Sequence, residues 1–439
     1  MRKRGRRILA MAALTMAGAM ALTACGQKAD TTTTKEEKPE TSTSGEGGLS
    51  GEITIWHYHH TLEHEILVKT IKEYQEINPD VTINETFVSR EELMNQYNIG
   101  AVSGELPDIG MVDSPDMSAY ISLGVYDDIT AELEEWGELD NFYEGPLNSC
   151  RDGDGNLYGL PTTSNCIALV CNMDMLKEAG FDKAPTTWDE FYQIAKACTN
   201  EAEGVYGYAM SAIATEEGTH QFIPWLYSTG ETVASLDSEG GRKAMGFLAK
   251  LTDEGIMSKE TTNWTQHEAF RSFCSGKAAM ATVGTWHLAQ VDEGEIETDV
   301  NMEFAPLPKD KQHSSSLGGE NLGVCAGSEN REVAIDFLKF VMTKEKNTEW
   351  CNAVTSQPVR KDSVELDGVW KEDERFALFT EVMNYAVARG PHPEWPTISE
   401  AIYRNEQAAL LGDKTADQAI DDAAGIINPI LKETPINLD

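Results

Sequence analysis

Polar and apolar residues alternate along Glu52-Ile53-Thr54-Ile55-Trp56, the signature of a strand with one buried face. From Thr61 to Tyr74 the interval changes: Leu62, Ile66, Leu67, Ile71 and Tyr74 recur at helical spacing. Asn78-Pro79-Asp80 ends that helix, and Val81-Thr82-Ile83 opens a second strand. Residues 91–102 read as a helix and 107–112 as a short buried strand. Strand, helix, strand, helix, strand is the pattern of a parallel sheet with right-handed crossovers.

The pattern continues without a long apolar run. Asp152-Gly153-Asp154-Gly155-Asn156 is a turn, followed by strands at 157–160 and 167–171. Thr186-Thr187-Trp188-Asp189-Glu190 reads as a capped helix start, with Asp189 and Glu190 at the positive end of the helix dipole. Helices are expected at 239–253, 266–274 and 331–342, and the chain is mostly helical from Phe376. A small-residue strand is expected at 277–283, and 317–326 is Gly-rich and apolar. The whole is α/β.

The 439 residues suggest two or three domains, or two large lobes. A formal charge of -38 argues against nucleic-acid binding and against a surface that clings to anionic lipid. The first seven residues run against this balance, with Arg2, Lys3, Arg4, Arg6 and Arg7. An apolar run from Ile8 to Ala21 follows, and is short for a membrane span of about 20 residues. It ends in Leu22-Thr23-Ala24-Cys25-Gly26. That order resembles the lipobox of bacterial lipoproteins, which implies a signal peptide over 1–24 and a lipidated Cys25 anchoring the chain outside the cytoplasm. Residues 25–50 are rich in Thr, Ser, Gly, Lys and Glu and read as a flexible tether. Cys150, Cys166, Cys171, Cys198, Cys274, Cys325 and Cys351 are scattered, without a CxxC, and read as buried thiols; a pairing stays open in an oxidising compartment.

Seven blocks stand in the order found in the solute-binding proteins of bacterial ABC importers. Among them are SGELPDIGMVDS (103–114), DGNLYGLPTTSNCIALVCNMDMLKEAGF (154–181), PTTWDEF (185–191), FCSGKAAMATVGTW (273–286) and GGENLGVCAGSENREVAIDFLKF (318–340). The chain resembles the extracellular family 1 group, which includes maltodextrin and multiple-sugar binding proteins, over essentially 50–435. The resemblance implies a two-lobed periplasmic-binding-protein-like fold (type II), with 51–160 plus 309–352 as the first lobe and 161–308 plus 353–439 as the second. Crossings are then expected near 160–161, 305–308 and 357–358. It further implies a monomer that captures a sugar or oligosaccharide between the lobes and delivers it to an ABC permease, without catalysis and without a cofactor.

A sugar presents hydroxyls at its edge and C–H groups on its faces, so its site needs polar groups around an aromatic ring. The resemblance points to Trp286 as the stacking ring, to Asn165 where relatives carry a carboxylate, to His220 and Trp225 in HQFIPW, and to Trp395 in HPEWPT. Chain order adds Trp56, His57 and His59 at the end of the first strand, and Asp113 and Ser114 at the end of the third, where open α/β sheets place ligands. Gly318 and Gly319 let backbone approach a ligand closely. For each of these a packing role is the competing reading.

Three rival chemistries remain. His57, His59, His60 and His64 cluster, and His60 and His64 have the i, i+4 spacing of a helical metal pair. DGDGN resembles the start of a calcium loop but has Leu157 and Thr163 where that loop needs Gly and Glu. A glycosidase needs only two carboxylates at a suitable separation, which 73 acidic residues neither establish nor exclude. Among other solutes, an anion would need Arg or Lys in the cleft. The nominated segments have only Arg404 nearby, which favours a neutral sugar, with a binding protein of the same fold for glycerol phosphate, a polyamine or a peptide as the alternative.

Overall fold

The computed structural model describes residues 48–59, 61–292, 294–363 and 369–436. The expected signal peptide, Cys25, nearly all of the tether and His60 lie outside the described residues.

Ten strands occur among the described residues: β1 (Gly51–His57), β2 (Val81–Phe87), β3 (Ile109–Asp113), β4 (Gly159–Pro161), β5 (Ile167–Asn172), β6 (Met280–Gly284), β7 (Met302–Ala305), β8 (Ser315–Ser316), β9 (Glu320–Val324) and β10 (Ala386–Val387). Five form one sheet in the order β2-β1-β3-β9-β4. Within it β1 runs parallel to β2 and β3, as the strand–helix alternation predicted, while β9 is antiparallel to both of its neighbours. A second, antiparallel sheet has the order β6-β5-β7. The short parallel pair β8–β10 forms a third, two-stranded sheet.

The two sheets are covered differently, and their sequences show why. In β1 the period of two sends Ile53, Ile55 and His57 into one core and leaves the alternate residues less buried. Helix α1 (Thr61–Ile77) packs Ile66, Leu67, Ile71 and Tyr74 against that core. Helix α2 (Arg90–Ser103) starts at Ser89, whose hydroxyl accepts from the Glu92 amide, and stops at Gly104, at φ 76°. By contrast every residue of β5 and β6 is buried. The second sheet is sandwiched between two cores, one around Phe191, Trp225 and Trp395, the other around Phe270, Phe273 and Phe376. Continuous apolar strands are what such a position requires. The result is a two-lobed α/β fold, each body with its own sheet and core.

The path between the bodies departs from expectation. Residues 309–316, assigned to the first lobe by the resemblance, bond to elements of the second. Lys309 bridges Thr187, the Trp188 indole donates to the Pro308 carbonyl, and Lys311 donates to the Ser228 carbonyl. Conversely, Val359 and Arg360 bond to Tyr143, Glu138 and the Met342 carbonyl of the first body. The small polar residues of 311–316 carry no periodicity, so only their hydrogen bonds reveal which body they join.

The seven body cysteines are all unpaired, and six are buried. Burial pushes the Cys166 thiol up to about 12 and the Cys198 thiol up to about 11, so both stay protonated and inert near neutral pH.

Candidate functional site

A cleft of about 430 Å³ opens between the two bodies, within the range of small-molecule sites. The first body supplies Tyr58, Glu63, Ser89, Arg90, Asp113 and Glu320. The second supplies Asn165, Glu217, His220, Gln266, Trp286 and Gln290, and Arg389 follows β10.

Trp286 is the second residue of the helix Thr285–Asp292, directly after β6. A Cβ on Gly284 would sit 2.1 Å from two indole carbons, so only glycine lets the ring lie over the end of the strand. The His220 ring is 6.4 Å away, and its Nδ1 is 2.8 Å from the Ser316 hydroxyl. Burial, with Arg389 and Arg90 close by, holds His220 far below its ordinary value, so the imidazole is neutral. Asn165 exchanges backbone bonds with Gly318, and among the described residues its Oδ1 has no protein donor. This wall is aromatic and uncharged at its centre.

The opposite wall is ionic. Arg90 begins α2, where a cation opposes the helix dipole, so it needs local anions. Its Nη2 is 2.5 Å from Asp113 and 3.9 Å from Asp116. Arg389 reaches the same Asp113 with both Nη atoms at 3.3 Å, donates to Glu216 at 2.6 Å, and donates through Nε to the Leu317 carbonyl. Asp116 is pushed up to about 8, chiefly by burial and then by Glu216 and Asp113. Arg90 and Arg389 thus pair with Asp113 and Glu216, and Asp116 beside them is held toward its protonated form. Glu320 is pushed up to about 7, chiefly by burial, with Glu63 and Asp113 adding to it.

Of the residues expected at the site, Asp113, Asn165, His220 and Trp286 line the cleft. The others lie elsewhere. Trp225 is in the second body's core against Phe191, Tyr208 and Phe247, because its helix, Glu216–Ser228, is buried from Gly218 onward. Trp395 is fully buried, and its indole donates to Glu216, supporting the carboxylate that holds Arg389. Trp56 packs on Tyr97, on the face of β1 opposite His57. His57 and His59 border a cavity of about 10 Å³ inside the first body, room for roughly one water. Ser114 and Gly318 border a rear crevice of about 20 Å³. At Gly319 a Cβ would meet the Thr163 carbonyl at 2.1 Å, so this glycine serves strand contact and not a ligand.

The residues of two rival motifs take part in local hydrogen bonds. His57 Nε2 and His64 Nε2 each reach the Glu85 carboxylate, at 2.8 and 3.0 Å. His57 Nδ1 accepts the His59 amide, which keeps the His57 proton on Nε2, the nitrogen a metal would need. Burial lowers His57, and hydrogen bonds from both histidines lower Glu85, as a bonded trio should show. Asp152 Oδ1 accepts the Asp154 and Asn156 amides, so the DGDGN loop bonds to itself. Arg404 pairs with Glu400 on the surface, whereas Arg90 and Arg389, both absent from the sequence reading, reach the cleft.

Two separate sheets, a cleft between them and a polar ring around one aromatic platform define a two-lobed ligand-binding protein. The family model for bacterial extracellular solute-binding proteins matches residues 69–377, and the chain belongs to that family. It is 24% identical over 412 residues to an arabinooligosaccharide-binding protein of Bacillus subtilis (strain 168), covering 87% of this chain and 93% of the relative. A lactose-binding protein of Rhizobium radiobacter is 24% identical over 315 residues, 68% of this chain and 72% of the relative. Maltose-bound T. maritima MalE3 superposes with a TM-score of 0.79 at 24% identity, covering 87% of this chain and all of that one.

Proposed function

We propose that the chain is the capture component of an ABC importer, holding a sugar or oligosaccharide between its two bodies and handing it, unaltered, to the permease. The carrying observation is the Trp286 indole seated against Gly284 in a cleft ringed by amide, imidazole and carboxylate groups from both bodies. Relatives named for lactose, arabinooligosaccharides and multiple sugars support the ligand class. One neutral hydrogen bond nets about 1 kcal/mol, and a micromolar complex needs about 8, so both walls must contribute. That requirement favours closure of the bodies around the ligand. The hydrogen bonds of 309–316 favour a middle crossing at 317–320, later than the resemblance implied. The lipobox favours tethering through Cys25.

Incubation with labelled oligosaccharides tests the carrier: bound sugar should be recovered intact, and product formation would replace this reading with an enzyme. Cys25→Ala should move the protein from the membrane fraction to the soluble fraction; retention at the membrane would remove the anchor.

A further inference from the structure

Charge is distributed unevenly between what the cleft offers a ligand and what it keeps for itself. Both arginines that line the cleft are committed: Arg90 to Asp113, and Arg389 to Asp113, Glu216 and the Leu317 carbonyl. Pulling either guanidinium toward a ligand anion would strip buried carboxylates of their partner. The acids are in the opposite condition. Among the described residues, Glu320 on the first body and Glu217 and Glu295 on the second line the cleft with no cation within ion-pair distance. Glu320, the first residue of β9, accepts from the Thr163 hydroxyl and faces Glu63 of α1, Asp113 of β3 and His59 after β1.

We propose that the cleft sorts glycans by charge: it takes a sugar bearing a protonated amine in preference to its hydroxyl counterpart and turns away the corresponding sugar acid, with Glu320 setting the preference. The inference rests on the sugar-capture reading. An ammonium group beside Glu320 makes a charge-assisted hydrogen bond and relieves carboxylate repulsion in a site partly removed from water. A hydroxyl donates without relieving it. A carboxylate adds a negative charge between acidic groups on both walls, with no cation released to meet it. Rejection by like charge is how a binding site turns away an otherwise similar ligand.

The test uses disaccharides matched in linkage and differing at one unit: glucosamine, glucose or glucuronic acid. Calorimetric titration of the folded chain at low and high salt reads the outcome. In each matched set, the amine form should bind at least about tenfold tighter than the neutral form and the acid at least about tenfold weaker, with both gaps shrinking in high salt. Glu320→Gln should bring amine and neutral forms to within about threefold. Should that variant melt early, Glu295→Gln, on an exposed rim, should narrow the gap by a smaller factor. An acid bound as well as the neutral form, or an amine bound no better, overturns the inference alone. An unchanged preference in a folded Glu320→Gln overturns the role of that residue. Failure of every sugar to bind overturns the capture reading and the inference with it.

Discussion

The two walls of the cleft solve the same problem with different chemistry. The first body presents Arg90, Asp113 and Asp116, and Arg389, itself held by Glu216 of the second body, pairs with the same Asp113 before any ligand arrives. The second presents a tryptophan, a neutral histidine and amides, at the end of a small-residue strand sandwiched between two cores. A buried ionic set is costly to desolvate and is stable only when complete. An aromatic platform needs only a flat, rigid seat, which Gly284 and β6 supply. The comparison teaches a division of labour: the ionic wall ties the bodies together and sets the field, while the aromatic wall supplies contact area.

The sharpest way to break that comparison is to remove a cation from the ionic wall. Arg389→Met leaves Glu216 without its guanidinium and Asp113 with only Arg90, and should cost about 3–5 kcal/mol in denaturant unfolding. A loss below about 1 kcal/mol would show that the set does not act as a unit.

The next test separates two tryptophans on the same body. Trp225→Ala empties a core site and should cost about 3–5 kcal/mol of stability. Trp286→Ala should leave the melting temperature nearly unchanged and weaken sugar binding at least about tenfold, or about 1.4 kcal/mol. Unchanged affinity would remove Trp286 from the site.

A further test is a pH slope. The Asp116 carboxyl, facing Glu216, Asp113, Arg90 and Arg389, is raised to about 8 when folded, whereas an unfolded aspartate titrates near 4. The folded state therefore holds a proton that the unfolded state releases. Its stabilising contribution is complete below about pH 4 and declines as pH rises to about 8. Asp116→Asn removes this decline, so the variant should gain stability relative to the parent between about pH 5 and 8. Parallel curves for the two proteins would show that Asp116 is ionised throughout.

Much of the architecture was legible because it is written in local periods. Alternation in 52–56, helical spacing in 61–74, the helix expected over 91–102 and the capped start in 186–190 each find their element at nearly the expected place. Trp286 was reached through the family resemblance, and the structure places it directly after the small-residue strand β6, on the cleft. Trp225 was misplaced because a helix buried on nearly every side carries no periodic signal of which face meets the cleft, and Trp395 because it opens a helix on the side that faces the core.

Arg90 and Arg389 were missed for another reason. Each looks like a solvated surface charge until Asp113 is brought beside it from 23 and 276 residues away. Strand, helix and turn were thus determined by the sequence itself, because each depends on neighbours a few residues apart. The lining of the cleft, its balance of charge and the crossing between the bodies were decided only by the tertiary structure. They depend on which distant segments the two sheets bring together, and burial then determines whether a charge is solvated, paired or left to face a ligand.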